Sequence, residues 1–257
     1  MTDAPLPNAS HDLTGRVAMV TGATSGLGWR FAQVLAAAGA TVVGTGRRTD
    51  RLDQLAAESA ELGTIIGVQM DMTDTESILG GVDTAEDAVG TIDILVNNAG
   101  VPDAQRAHKM PVELIDRVID TNLRGPYVLS CEIARRLIAA ERPGAMVNIS
   151  SASGFHYDGH GAALYSVTKA AIARMSEALA VEWSRYRINV NCIAPGAFSS
   201  EMMDGMVDRM GDISQHFPRK RMGDPSQLDS TLLYLCSPSS DAVTGAILRV
   251  DDGQGPR

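Results

Sequence analysis

Tyr165 and Lys169 stand four residues apart in a stretch of helical character, so their side chains leave one helix face a turn apart. Such a pair could move protons. A free tyrosine titrates near pH ~10, too high for an efficient acid or base at neutrality, and a nearby ammonium favours its phenolate. An apolar run ending in Asn148-Ile-Ser-Ser151 precedes the pair and supplies hydroxyls. A second chemical group lies near the N-terminus, where Thr21-Gly22-Ala23-Thr24-Ser25-Gly26-Leu27-Gly28 joins an apolar run to a helix. Glycines there permit a tight turn and close approach of a diphosphate, and the helix N-terminus offers free N–H groups to the anion. The spacing is Gly-x-x-x-Gly-x-Gly, not the commoner Gly-x-Gly-x-x-Gly.

These groups need a scaffold that brings strand ends together. Short apolar runs at 17–20, 41–43, 65–70, 92–96, 145–149, 188–193 and 246–250 read as strands. Between them, helical patterns cover 31–38, 51–62, 78–89, 112–140, 165–186 and 228–236, with Gly125-Pro126 interrupting the longest. Nearly continuous apolar strands are buried on both faces, and strand–helix alternation builds a parallel sheet between two helical layers. The expected fold is α/β: a Rossmann-like doubly wound parallel sheet of about seven strands flanked by helices, in a single domain over residues 1–257.

The glycine spacing, with Asn97-Asn98-Ala99-Gly100 and Tyr165-Ser-Val-Thr-Lys169, resembles the short-chain dehydrogenase/reductase family, and the resemblance runs from about Gly15 to Gly253. It implies a catalytic set. Ser151 bonds the substrate oxygen, Tyr165 donates or removes a proton, Lys169 also bonds the nicotinamide ribose, and Asn122 helps hold a water that starts a proton relay. Ser151 lies one residue further from Tyr165 than the family's usual spacing, which would land on Ala152. Ser151-Ala-Ser-Gly154 matches the family's Ser-x-x-Gly and decides for Ser151, with Ser150 and Ser153 as alternatives and the extra residue assigned to the loop 155–163.

The resemblance also implies the cofactor-binding residues. Gly22, Thr24, Ser25, Gly26, Leu27 and Gly28 form the phosphate loop. Asp71 accepts from the adenine amino group beside Met72, although an Asp there could also cap the next helix. Asn98, Ala99 and Gly100 lie under the cofactor, unless the asparagines only tie strands together. Pro195 and Gly196 hold the nicotinamide, Phe198 meets its carboxamide through backbone atoms, and Ser200 either supplies a hydroxyl or caps a helix. At the end of the second strand, Gly46 stands where NAD-preferring relatives often carry an acid, and Arg47 follows. An arginine favours a ribose 2′-phosphate, so NADP(H) is expected and NAD(H) is the alternative; Ser25, where many NADP-preferring relatives place a basic residue, speaks against it.

The substrate lid is expected at about 198–220, where Met202, Met206 and Met210 recur one helical turn apart, and the loop holding His156, Tyr157 and His160 faces the same region by family analogy. A small carbonyl or alcohol is the expected substrate, with a ketone/secondary-alcohol oxidoreductase as the activity. NAD-linked alcohol oxidation, dehydration or epimerisation on the same fold, and a non-catalytic cofactor-binding protein are the other readings. The family implies a homo-oligomer, commonly a tetramer, through the helices around 112–140 and 165–186 and the last strand. A net charge of −9 disfavours a broad grip on nucleic acid or anionic membrane. No apolar run reaches membrane-span length, so a cytoplasmic location is expected. Cys131, Cys192 and Cys236 are far apart, the histidines lack zinc-site spacing, and no metal is expected.

Overall fold

The computed structural model of the chain describes residues 7–103, 105–157, 159 and 161–255, and for residues 202, 206 and 208–210 the backbone alone. Seven strands form one sheet: β1 Val17–Thr21, β2 Thr41–Gly46, β3 Ile65–Gln69, β4 Ile94–Asn97, β5 Gly144–Ile149, β6 Ile188–Pro195 and β7 Ile247–Val250. Their order is β3-β2-β1-β4-β5-β6-β7, and every pairing is parallel. The chain order therefore reverses between β1 and β4. Such a switch point opens a crevice at the carboxyl ends of the strands.

The helices are α1 Gly26–Ala37, α2 Thr49–Glu58, α3 Thr75–Val89, α4 Val112–Ile119, α5 Gly125–Ala139, α6 Ala163–Trp183, α7 Glu201–Met210 and α8 Asp229–Cys236. Two apolar layers hold them to the sheet. Phe31 and Leu35 of α1, Leu52 and Leu55 of α2 and Leu232 and Leu235 of α8 fill one face. Ile78 and Val82 of α3, Leu129 and Ile133 of α5 and Ile172 and Leu179 of α6 fill the other. Strands buried between these layers carry apolar residues on both sides, which is why β4 and β5 are buried at every position.

Several boundaries differ from expectation for physical reasons. The helix expected over 51–62 ends at Glu58. The helix expected from 78 starts at Thr75, because Asp74 accepts from the Glu76 N–H and caps it. Asp71 does not cap that helix; it closes a local turn by accepting from the Thr73 N–H and hydroxyl at 2.9 and 2.8 Å. The expected break at Gly125-Pro126 lies earlier: residues Asp120–Arg124 form a π-helical turn, and Pro126 sits in the first turn of α5, where its missing N–H costs nothing. Asn122 is in the middle of that turn. Of the described residues, no helix is long and apolar enough to cross a membrane.

Candidate active site

A cleft of about 1030 Å³ lies over the β1/β4 switch point. Its floor begins with the phosphate loop. Gly22 has φ +68 and Gly26 φ +54, conformations that side chains rarely adopt. A Cβ on Gly22 would lie 2.9 Å from the Ala99 Cα, and one on Gly28 would run into the Gly22 carbonyl oxygen and the Asn98 side-chain amide. Ser25 stands at the N-cap of α1 with no side-chain bond to the helix, so the first N–H groups of α1 are left for an anion in the cleft. These two features, a close main-chain cradle and an uncapped helix, suit a dinucleotide diphosphate.

Thr21 and Asn98 lock the cradle from beneath. The buried Thr21 hydroxyl accepts from the N–H groups of Asn98 and Ala99 at 3.0 and 3.1 Å. The Asn98 amide donates to the carbonyls of Thr21 and Gly22 at 2.9 and 3.3 Å. Asn97 turns the other way and donates to Ser130 and Asn148 at 2.9 and 2.8 Å. The strand-tying role considered for these asparagines is what their side chains perform, and Asn98 also lines the cleft.

At the β2 end, a side chain on Gly46 would crowd Thr24: its Cβ would lie 2.6 Å from Thr24 Cγ2. Arg47 is exposed and lines the cleft there. Arg48, which sequence reasoning did not single out, donates from Nη2 to the Thr24 carbonyl and hydroxyl at 3.2 and 3.1 Å and pairs with Glu201 at 3.4 Å. Asp71 and Met72 wall the cleft nearby.

The chemical groups meet at the ends of β5 and α6. Lys169 is 4% exposed, and its ammonium donates to the Ile149 carbonyl at 2.8 Å. Burial pushes it down to about 8. Tyr165 keeps part of its surface open to the cleft, yet its phenol is enclosed by protein, and that burial pushes it up to about 12 against the lowering hydrogen bond from Ser151. The expected depression by Lys169 is absent here. Lys169 Nζ lies 5.5 Å from the Tyr165 ring centroid and is held by a backbone carbonyl, so desolvation wins.

Among the three candidate serines, Ser151 is the one bonded to the phenol. Its hydroxyl also meets Ser153 Oγ at 3.2 Å, while Ser150 is committed to the Lys169 carbonyl at 2.6 Å. Asn122 is buried behind the cleft wall. Its amide clips Val101 by both backbone groups, at 2.8 and 2.9 Å, and reaches the Thr168 hydroxyl at 3.3 Å. A Cβ on Gly100 would lie 3.5 Å from both Asn122 Oδ1 and Lys169 Nζ, so the three residues converge.

On the far side, Pro195, Gly196 and Phe198 line the cleft after β6. Gln254, also missed in the sequence, pins this turn by accepting from the Ala197 N–H at 2.6 Å. The Phe198 ring is buried over Gly223. Ser200 caps α7 by accepting from the Met203 N–H at 3.2 Å, and it faces the cleft as well. His156 and Tyr157 line the substrate side, with Met203, His216 and Phe217 opposite. His160 and the side chains of Met202, Met206 and Met210 lie outside the described residues.

All the expected catalytic and cofactor residues therefore face one cleft except Gly28 and Asn122, which stand directly behind it. Asp103 is a further omission. It is 2% exposed and accepts from the N–H groups of Leu164 and Tyr165 at 3.0 and 3.2 Å. None of Asp103, Arg48 and Gln254 carries a local sequence signal for these contacts. Among the described residues no group of three or more His, Cys, Asp or Glu side chains is arranged to hold a metal.

Known proteins resemble the chain in both sequence and shape. A profile of the family described as enoyl-(acyl carrier protein) reductase matches residues 22–254. The chain is 33% identical over 244 residues to the 3-oxoacyl-[acyl-carrier-protein] reductase FabG of Aquifex aeolicus, covering 94% of this chain and 98% of that protein. It is 34% identical over 245 residues to the NAD-dependent glycerol dehydrogenase of Listeria innocua, covering 94% of each. The crystal structure of a short-chain type dehydrogenase/reductase from Mycobacterium marinum superimposes with a TM-score of 0.91 at 32% identity, covering 95% of this chain and 97% of that one. The chain belongs to the short-chain dehydrogenase/reductase family and is an oxidoreductase acting on CH–OH/C=O groups.

Proposed function

We propose that this member of the short-chain dehydrogenase/reductase family reduces a small-molecule ketone to a secondary alcohol with NADPH, using residues 1–257 as one dinucleotide-binding and catalytic domain. The observation that carries the reading is the meeting of Ser151, Tyr165 and Lys169 in the same cleft as the uncapped N-terminus of α1. NADPH, when bound, supplies the hydride. Ser151 and Tyr165 bond the substrate oxygen, and the Tyr165 phenol gives it a proton as the carbon is reduced. Lys169 holds the nicotinamide ribose and restores the phenol proton, through a water relay that begins at Asn122.

For NADP(H), support comes from the β2 end. Gly46 has no room for the acidic side chain that would bond a ribose 2′-hydroxyl, and Arg47 faces the cleft free to meet a 2′-phosphate. Support for NAD-linked alcohol oxidation instead comes from Ser25, which is not basic, and from likeness to a protein named an NAD-dependent glycerol dehydrogenase. Residues 198–220 act as the substrate lid, and the chain works as a homotetramer. The exposed Ile119, Tyr127, Val167 and Val181, on or beside α4, α5 and α6, support self-association. Three unpaired cysteines agree with a reducing, cytoplasmic setting, and the net charge of −9 with no nucleic-acid partner.

Titration of the purified protein with NADPH and NADH, followed by turnover on a panel of carbonyl compounds, tests the proposal. NADPH should bind more tightly, and Arg47→Asp should weaken NADPH far more than NADH. Equal effects on both would remove the 2′-phosphate role. Binding of neither nucleotide would leave a non-catalytic scaffold as the better account.

A further inference from the structure

Helix α6 carries both Tyr165 and Lys169, yet it begins without a cap of its own. Ala162 stands at its N-cap and has no side chain to offer. The missing acceptor arrives from elsewhere in the chain. Asp103, in the loop after β4, accepts from Leu164 N–H and Tyr165 N–H, the second and third donors of the helix, at 3.0 and 3.2 Å. It is a carboxylate, it is 2% exposed, and it lies against the residue whose phenol does the proton transfer. A buried negative charge at the start of this helix opposes loss of the phenol's proton, and Asp103 acts on Tyr165 in that direction, less strongly than burial of the phenol does.

The same short segment is anchored twice more. Asn98 ties it to the phosphate loop, and Val101 is clipped by Asn122 from the π-helical turn. Six residues thus connect the diphosphate cradle, Asn122 and the start of the Tyr165 helix. A neutral asparagine would offer an acceptor oxygen at the same reach. A carboxylate adds a charge, and that charge has a chemical consequence.

We propose that Asp103 is a positioning residue for Tyr165: its carboxylate fixes the start of the catalytic helix and favours the protonated phenol that carbonyl reduction requires. The inference rests on the proposed acid role of Tyr165. Other titratable groups share the cleft with Tyr165 or act on Lys169, and must be held constant. Among the described residues these are Lys169 on the same helix, Cys192 of β6 against that lysine, His156 and Tyr157 after β5, and His216 across the cleft. None of them caps the helix.

The test compares wild type, Asp103→Asn, Asp103→Ser and Asp103→Ala in the full chain. Rapid pH jumps with tyrosinate absorbance report ionisation, and Tyr165→Phe identifies which of the five tyrosines is responsible. Asn and Ser retain a capping oxygen and remove the charge. Asn should keep the thermal transition close to wild type, and both should lower the Tyr165 ionisation midpoint. Ala should move the midpoint similarly and lower the thermal transition as well. Where the carbonyl panel yields a substrate, the alkaline fall of kcat for reduction should move down by the same amount, with the KM for NADPH unchanged. A Tyr165 midpoint equal to wild type in a folded Asn or Ser variant would overturn the proposal and leave Asp103 as a cap alone. Because the absorbance titration needs no turnover, failure to find a substrate would count against the proposed activity and not against this inference.

Discussion

The two ends of the cleft are held by different forces. At the β1/β4 end, main chain is braced by buried groups: Thr21 is fully buried, and with Asn98 it makes four hydrogen bonds across the strand ends. At the proposed lid end, segments are joined by charged side chains near water. Arg48 meets Glu201 at 3.4 Å with both groups about half exposed, and Arg219 and Arg221 reach Asp252 at 2.9 and 2.8 Å. Buried hydrogen bonds tolerate little displacement, whereas exposed ion pairs contribute little and yield to salt. The β1/β4 end is thereby fixed and the end around residues 198–220 adjustable, which fits the proposal that the first takes the cofactor and the second the substrate.

The largest expected effect lies where the two ends meet. Tyr165→Phe removes the proposed proton donor and should reduce turnover by about 10²- to 10⁴-fold, while NADPH affinity measured by fluorescence stays near wild type. A variant that lost nucleotide binding equally would show that the phenol belongs to the braced end. Next comes Gly28→Ala, which strikes that end directly, because its methyl must displace the Gly22 carbonyl or the Asn98 amide. It should cost roughly 1–3 kcal/mol, seen as a lower Tm together with weaker binding of both nucleotides. Unchanged binding would mean that the cradle is more compliant than its packing implies. The smallest effect belongs to the lid end. Asp252→Asn releases two arginines and should change substrate KM by no more than about threefold, a difference that added salt abolishes. Asn keeps the left-handed backbone that Asp252 adopts at φ +51, so the change isolates the charge.

The sequence was readable wherever burial leaves a pattern. All seven strands announced themselves as apolar runs because both faces of the sheet are covered, and the glycines of the phosphate loop stood out because close main-chain approach excludes side chains. Contacts made across the chain left no such trace. Asp103 serves a helix 61 residues away, and Gln254 pins a turn 57 residues away; neither has a neighbour in sequence that hints at its partner. The π-helical turn at 120–124 was also silent, since a slip in hydrogen-bond register needs no special residue, and the visible Gly125-Pro126 drew the expected break too far along. A depression of the Tyr165 phenol by Lys169 was expected from spacing alone and is not found, because spacing does not report desolvation.

The packing at Gly46 has a consequence for how such an enzyme could change its cofactor over evolutionary time. An acid introduced there collides with Thr24 Cγ2, and Thr24 cannot swing aside without giving up the hydroxyl that Arg48 holds at 3.1 Å. The two positions should therefore be epistatic: if the chain takes the phosphorylated nucleotide as proposed, an acid at residue 46 is better tolerated on a background in which residue 24 has already shrunk.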